Sequence, residues 1–256
     1  MYYPVKEYST VSSTNSEALS LVESGERGPV WLRADCQKSG RGRSGRSWHS
    51  PFGNLYTTLL FSLSSSAGFT SQLSLVAGLA VYDTIIFFIQ NVHPERAYWY
   101  LKWPNDLMVG KAKIGGILVE TVVAHGEYLA IIGCGVNIKE KPINLGREVA
   151  AMIEYGSAPH PKAFLEKLDS KLHYYLRIWN NGMGFAAIRE DWLKRSFPLG
   201  TYISIKASNS LVYGNFAGLG NDGSLLLKQS DGEIKCFNFG EVGICETFMN
   251  VGKLGL

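Results

Sequence analysis

Leu75, Leu79, Tyr82 and Ile86 recur at helical spacing and predict a long helix over Ser71–Phe88, apolar on nearly every side and therefore deep in a core. Phe164, Leu165, Leu168, Leu172, Tyr175, Leu176 and Trp179 mark a second helix, and Phe185, Ile188 and Trp192 a third that runs to Arg195. A shorter helix is predicted through Ala18 to Val22. Ser12, Ser13 and Thr14 lead into it, and Glu17 follows Thr14 at the spacing of a capping box. Strand-like runs lie at Val30-Trp31-Leu32-Arg33-Ala34, Asn54–Leu63, Ala97–Leu101, Ala112–Val123 and Tyr128–Ile138, the last two separated by the turn-like Ala124-His125-Gly126. Pro198 and Gly200 then break the helical pattern. Short strand pieces follow, divided by Gly214, Gly218, Asn221-Asp222-Gly223 and Asp231-Gly232.

This order of elements predicts an α+β fold: residues 1–197 form a mixed sheet with packed helices, and residues 198–256 form a small β-barrel. A purely doubly wound sheet fits less well, because adjacent strands imply antiparallel or mixed pairing. A chain of 256 residues is long enough for one good core and a small second domain. The apolar stretch Leu75–Ile89 contains Gly78, Asp83 and Thr84 and falls short of the roughly 18 residues of a membrane span, and the N-terminus lacks the pattern of a secretory signal. Cys36, Cys134, Cys236 and Cys245 form no Cys-x-x-Cys pair, which predicts reduced, mostly buried thiols and a cytoplasmic setting.

Charge changes the picture in one place. Between Arg33 and Trp48 stand five basic residues (Arg33, Lys38, Arg41, Arg43, Arg46) against Asp35, a local balance of +4 in a chain of net charge +3. The remaining chain is near neutral, so the excess suits a single anionic ligand better than a nucleic-acid track or a membrane surface.

The same segment reads GRGRSGRS over residues 40–47. Gly40-x-Gly42-x-x-Gly45 satisfies the dinucleotide fingerprint, and Gly45-Arg46-Ser47 is one substitution from a P-loop ending. Both patterns need a helix straight after the glycines, whereas Ser47–Gly53 reads as an irregular loop entering a strand. What remains is a loop of glycines and guanidinium groups able to wrap an anion, with a ligand-free solvated loop as the plain alternative. Lys102-Trp103-Pro104-Asn105-Asp106 and Lys113-x-Gly115-Gly116 add a carboxylate suited to magnesium, a strand lysine, and glycines that let a ligand lie against the backbone. An ordinary turn and hairpin would read the same way. Gly133-Cys134-Gly135-Val136-Asn137 suggests the approach of a flat group to a strand, with a ligand-free β-bulge as the alternative.

Taken in order, Thr14-Asn15, Gln37-x-x-Gly40-Arg41-Gly42-Arg43-x-Gly45-Arg46-x-Trp48-x-Ser50-Pro51, Lys102-Trp103-Pro104-Asn105-Asp106, Lys113-x-Gly115-Gly116-Ile117-Leu118-Val119-Glu120 and Gly133-x-Gly135-x-Asn137 resemble the signature of biotin protein ligases, over nearly the whole chain. The resemblance implies a catalytic domain like that of class II synthetases and a C-terminal SH3-like barrel. It also implies an activity: biotin and ATP form biotinyl-5′-AMP, and biotin then passes to a lysine of a biotin carboxyl carrier protein. Ser13, Thr14, Gln37, Arg41, Gly115 and Gly116 would line the biotin site. Gly40, Gly42, Gly45, Arg46, Trp48, Asn105 and Asn137 would hold ATP or the adenylate, with Asn137 at adenine. Arg43 would retain the intermediate, Lys113 would neutralise charge at the carboxylate and α-phosphate, and Asp106 would help place Mg²⁺. Monomers and homodimers are both compatible with the family.

The resemblance accounts for the lack of a nucleophile constellation. His49, His93, His125, His160 and His173 are scattered and are expected to be structural. Thirteen residues precede Thr14, so the DNA-reading domain of some relatives is not expected. Gly240-Glu241-Val242 resembles the C-terminal motif, with Glu241 near the nucleotide, but Gly243 stands where serine is common. A lipoate ligase is the nearest competing reading. A nucleic-acid module in the C-terminal segment is opposed by the acidic residues Asp222, Asp231, Glu233, Glu241 and Glu246.

Overall fold

In the computed structural model, which describes residues 1–64, 69–90, 97–142, 146–207 and 210–245, seven strands form one mixed sheet. They are β1 (Val5–Val11), β2 (Val30–Gln37), β3 (Leu55–Leu63), β4 (Trp99–Lys102), β5 (Asp106–Val109), β6 (Ala112–Ala124) and β7 (Glu127–Val136), in the order β1-β2-β3-β7-β6-β5-β4. β1 and β2 are parallel and the other neighbours antiparallel, as mixed pairing predicts. The β6–β7 hairpin closes through His125 and Gly126 at φ 51° and 81°, the backbone that the twist of two strands favours in a two-residue turn.

Helices α1 (Thr14–Glu23), α2 (Thr70–Ile89), α3 (Pro161–Trp179) and α4 (Phe185–Lys194) divide unequally between the two faces. On one face Leu59, Ile132 and Val136 pack with Leu73, Leu79, Ile85, Leu168, Leu172 and Trp192. On the other, Ala18 and Val22 of α1 cover Leu32, Leu60 and Ile131. α1 is only ten residues long and leaves part of its face free, where β7 reads Gly133-Cys134-Gly135. The functional cleft lies there.

Several expectations need correction. β1 and β5 were not predicted: β1 is an edge strand with only Val11 buried, and β5 is four residues long and begins on Asp106, the last residue of the Lys102–Asp106 motif. α2 reaches 20 residues and is apolar enough to cross a membrane by composition, yet most of it is buried within the protein. The capping box at Thr14 does not form. Ser13 is the N-cap without a side-chain bond, and the Thr14 hydroxyl is turned to Gln37 and Thr58. All four thiols are free, but only Cys134 is buried; Cys236 and Cys245 are exposed. Burial pushes the Cys134 thiol up to about 12, far from reactivity at neutral pH.

The C-terminal barrel is also corrected. β8 (Tyr202–Ala207), β9 (Ser210–Leu219), β10 (Leu225–Lys228), β11 (Ile234–Phe237) and β12 (Glu241–Ile244) form an open antiparallel sheet in the order β11-β10-β9-β8-β12. Three residues, 238–240, carry the chain from one edge strand to the other, so the sheet curls, but no ladder joins β11 to β12 among the described residues. β11 has no fully buried residue, and only Phe237 packs partly against the core. Residues 246–256 of the expected barrel, and His93, lie outside the described residues. The second sheet shares the main core: Ile203, Ile205, Phe216, Leu225 and Val242 pack in one cluster with Trp192 and Phe197. Gly243 faces Ser204 across the ladder, and a Cβ there would stand 2.6 Å from the Ser204 hydroxyl, so the hydroxyl that the motif places at 243 has a counterpart on the neighbouring strand.

Candidate active site

Register brings the motifs together. Tyr56 of β3 pairs with Gly135 of β7, Gly135 with Gly116 of β6, and Gly116 with Asp106 of β5. Thr58, Gly133 and Leu118 form the next row. Side chains of paired residues share a sheet face, so the floor of the cleft is a strip with glycine at its centre. The loop Gly40–Ser47 crosses above it, tied by Trp48 N donating to Gly40 O at 2.8 Å and Gly42 N to Arg46 O at 2.7 Å. Only a one-turn 3-10 segment, Arg43–Gly45, forms before the chain enters β3, so neither the dinucleotide nor the P-loop geometry is present. Gly40 itself is forced, since a Cβ there would stand 2.3 Å from the Trp48 carbonyl oxygen.

Two side chains occupy the glycine strip. At Gly135 a Cβ would stand 2.7 Å from the Trp48 ring, and at Gly133 2.2 Å from Asn15 Oδ1. The flat group expected over these glycines is thus the protein's own indole. Its Nε1 is buried without a hydrogen-bond partner, and Lys113 Nζ lies 5.4 Å from the ring centroid. A ligand entering the strip changes the polarity around this indole. We therefore expect a change in tryptophan emission on addition of biotin and ATP that Trp48→Phe abolishes; an unaltered signal in the variant would assign it to another tryptophan.

The cleft encloses about 370 Å³. Seven cationic side chains (Arg41, Arg43, Arg46, Lys102, Lys113, Arg147, Lys206) line it against two carboxylates, Asp106 and Glu241. Lys113 and Lys102 both reach Asp106, Lys113 by a short hydrogen bond and Lys102 at 3.6 Å. Burial opposes ionisation of Asp106, but the two ammonium groups outweigh it and hold the carboxyl below its ordinary range. Burial, with Arg147 and Lys102 nearby, also draws Lys113 below the usual lysine range against the pull of Asp106.

A carboxyl held below its unfolded value stabilises the fold above that value, and the contribution is lost as pH falls through the folded value. The stability difference between wild type and Asp106→Asn should therefore be constant near neutrality and shrink as pH falls below about 3.8, the ordinary aspartate value. Urea unfolding from pH 7 to pH 3 checks this, and a difference independent of pH would refute it.

Arg43 NH1 donates to Asn105 Oδ1 at 3.1 Å, while Asn105 Nδ2 donates to Ile117 O at 2.8 Å, which ties the middle of the loop to the floor. Arg46 makes a two-pronged bond to Glu241 of the second sheet, with NH1 to Oε1 at 3.1 Å, and this holds the Glu241 carboxyl below its usual range. Both partners are half-exposed, so the bond is worth no more than about 1 kcal/mol to stability. Gln37 Oε1 accepts from Thr14 N at 2.8 Å and Thr14 Oγ1 at 3.2 Å.

Of the residues named from sequence, Ser13, Thr14, Gln37, Arg41, Gly42, Arg43, Arg46, Trp48, Asn105, Asp106, Lys113 and Gly116 line this cleft. Gly40 and Gly45 line a second groove, which Leu118 and Glu120 of β6 also line. Gly115 sits beneath the floor, and Asn137 is buried with Nδ2 on Ala150 O at 3.0 Å and Oδ1 unpartnered. Neither lines the cleft. Sequence reading did not name Arg147 and Lys206 as site residues: Arg147 lies outside every motif, and Lys206 alternates outward on β8 like any surface lysine. Three of the described histidines keep structural places. His125 is in the hairpin turn, His160 caps α3, His173 stacks on Tyr2, and His49 is exposed.

Comparison with known proteins agrees with this geometry. The model of the biotin/lipoate A/B protein ligase family matches residues 9–137. A biotin–[acetyl-CoA-carboxylase] ligase of Paracoccus denitrificans is 34% identical over 223 residues, covering 84% of this chain and 90% of that one. The bifunctional ligase/repressor BirA of Escherichia coli is 29% identical over 241 residues, 91% of this chain and 72% of its own length. Among solved structures, biotin protein ligase from Aquifex aeolicus in complex with biotin and ATP superposes with a TM-score of 0.77 at 25% identity, over 94% of this chain and 97% of that one. Identity over most of both lengths, with the motif residues gathered at one cleft, places this chain in the biotin/lipoate A/B protein ligase family.

Proposed function

We propose that the protein is an ATP-dependent biotin protein ligase, which forms biotinyl-5′-AMP from biotin and ATP and transfers biotin to a lysine of a biotin carboxyl carrier protein. The observation that carries this reading is the cleft itself, a glycine-centred floor ringed by seven cations against two carboxylates, in a chain akin to a ligase that binds biotin and ATP together. The first step joins a biotin carboxylate oxygen to the α-phosphorus and breaks its bond to the departing pyrophosphate. In the second, the carrier's amine attacks the acyl carbon and AMP leaves.

The protein's part is positioning and charge. Lys113, steadied by Asp106, meets the negative charge shared by carboxylate and α-phosphate. Thr14, Ser13 and Gln37 with Gly116 and the neighbouring Gly115 hold biotin, and Arg41 closes on it. Arg43, Arg46, Trp48 and Asn105 with Gly40, Gly42 and Gly45 of the loop enclose the adenylate and exclude water. Asn137 supports the adenine end from below, through the Ala150 segment. Magnesium fits in one manner. Asp106 is the carboxylate that would help hold it, at the cost of its pairing with Lys102, and the ion would supply charge neutralisation at the phosphates.

We assign residues 1–197 to the chemistry and the segment from residue 198 onward to closing the cleft through Glu241. We expect a monomer or a homodimer, as in the family that the chain resembles. We place the protein in the cytoplasm, where ATP is supplied and free thiols persist. Exchange of labelled pyrophosphate into ATP, with biotin, lipoate or neither, tests the reading. Exchange only with biotin is expected, and exchange with lipoate or with no acid overturns it.

A further inference from the structure

Glu120 belongs to none of the roles above, yet it lies on the same sheet face, two residues beyond Leu118 on β6. Its two oxygens have separate partners. Oε1 takes a short ion pair from Arg41 of the basic loop, and Oε2 accepts from Asn15 Nδ2 at 2.8 Å. Asn15 is only 3% exposed, and room for it exists because residue 133 is glycine. Asn15 Oδ1 accepts from Thr58 Oγ1 at 2.7 Å, and that hydroxyl also lies 2.8 Å from Thr14 Oγ1. The path continues from the Thr14 backbone N–H to Gln37 Oε1 at 2.8 Å, then from Gln37 Nε2 to Ser50 Oγ at 2.8 Å, and from Ser50 Oγ to the Trp48 carbonyl at 2.9 Å. A continuous hydrogen-bonded chain thus runs beneath the cleft from Arg41, near the start of the loop, to Trp48 at its end.

We infer that Glu120 is a positioning residue for the ligase reaction: through Arg41 it clamps the leading end of the basic loop, and through Asn15 it couples that clamp to the floor under the ligand. The inference rests on the ligase reading. A carboxylate is needed because it alone can accept on both sides, from a guanidinium and from an amide N-H. A glutamine can still accept from Asn15 with its one oxygen, but it then turns an amide N-H toward Arg41, where two donors face each other. Glu120→Gln therefore cuts the link to the loop and spares the buried part.

The experiment compares wild type, Glu120→Gln, Arg41→Gln and the double variant. It measures the off-rate of biotinyl-adenylate, the KM for biotin, and the maximal exchange rate. Glu120→Gln should speed adenylate release and raise the biotin KM by about tenfold with the maximal exchange rate little changed, and it should add nothing in the Arg41→Gln background. Release as slow as wild type in Glu120→Gln, or effects of the two substitutions that multiply, overturns the inference. Arg41→Gln cuts the same link from the exposed side and must by itself reproduce the faster release. Absence of biotin-dependent exchange in wild type would instead refute the ligase reading.

Discussion

Replacing Lys113 with alanine lowers biotin-dependent pyrophosphate exchange by about 100-fold or more while the fold survives. The magnitude is that of removing one preorganised donor from a site of developing negative charge. Lys113 is suited to this role because its side chain is only 12% exposed, lies between the glycine strip and Asp106, and approaches the Trp48 ring from the same side. Its loss leaves Asp106 buried but not alone, since Lys102 Nζ stays 3.6 Å away. The cost in stability is therefore about 1–3 kcal/mol. Exchange assays beside urea unfolding separate the two effects. A variant that exchanges at the wild-type rate removes Lys113 from the chemistry, whereas lost exchange with lost folding would make it a structural ion-pair partner.

Replacing Arg43 with glycine makes biotinyl-adenylate escape. Arg43 is the central side chain of the loop, and its bond to Asn105 joins the loop to the floor. Residue 44 already adopts a left-handed backbone at φ 54°, so a glycine beside it and Gly45 would leave three consecutive residues with little to fix them. Adenylate release should rise by about tenfold or more, equivalent to some 1.4 kcal/mol of lost retention. Labelling of bystander lysines on an added non-substrate protein reports it. Retention as in wild type would show that Arg46, Trp48 and the Glu120 clamp hold the intermediate without Arg43.

Much of this was legible along the chain because the informative segments are extreme in character. α2 is apolar on nearly all sides because it is packed between the sheet and two helices, and the β6–β7 hairpin is marked by a turn needing positive φ. The site motifs were legible as residue types. What could not be read was which neighbour each residue would have. Thr14 and Glu17 have the spacing of a capping box, but a partner 23 residues away, Gln37, takes the hydroxyl instead. The glycines at 133 and 135 suggest the approach of a flat ligand group, yet the sequence does not say that the protein's own Trp48 and Asn15 would lie there. Asn15 and Glu120 were visible only as letters in a motif, because their function lies in a contact across 105 residues. The second sheet misled for a similar reason: strand lengths and turns match a barrel, and openness depends on whether two particular edges bond.

The indole resting on Gly135 bears on how quickly the site can fill. A ligand using that strip cannot complete its approach by diffusion alone, because the side chain already there has to give way. Association then has two stages, and the observed rate levels off at high ligand concentration at the speed of the ring's departure. The same occupancy lowers apparent affinity by the fraction of molecules with the strip vacant. Entry through the strip and part of the retention thus share one residue, and a substitution at Trp48 that lets substrates in faster also helps the activated intermediate out.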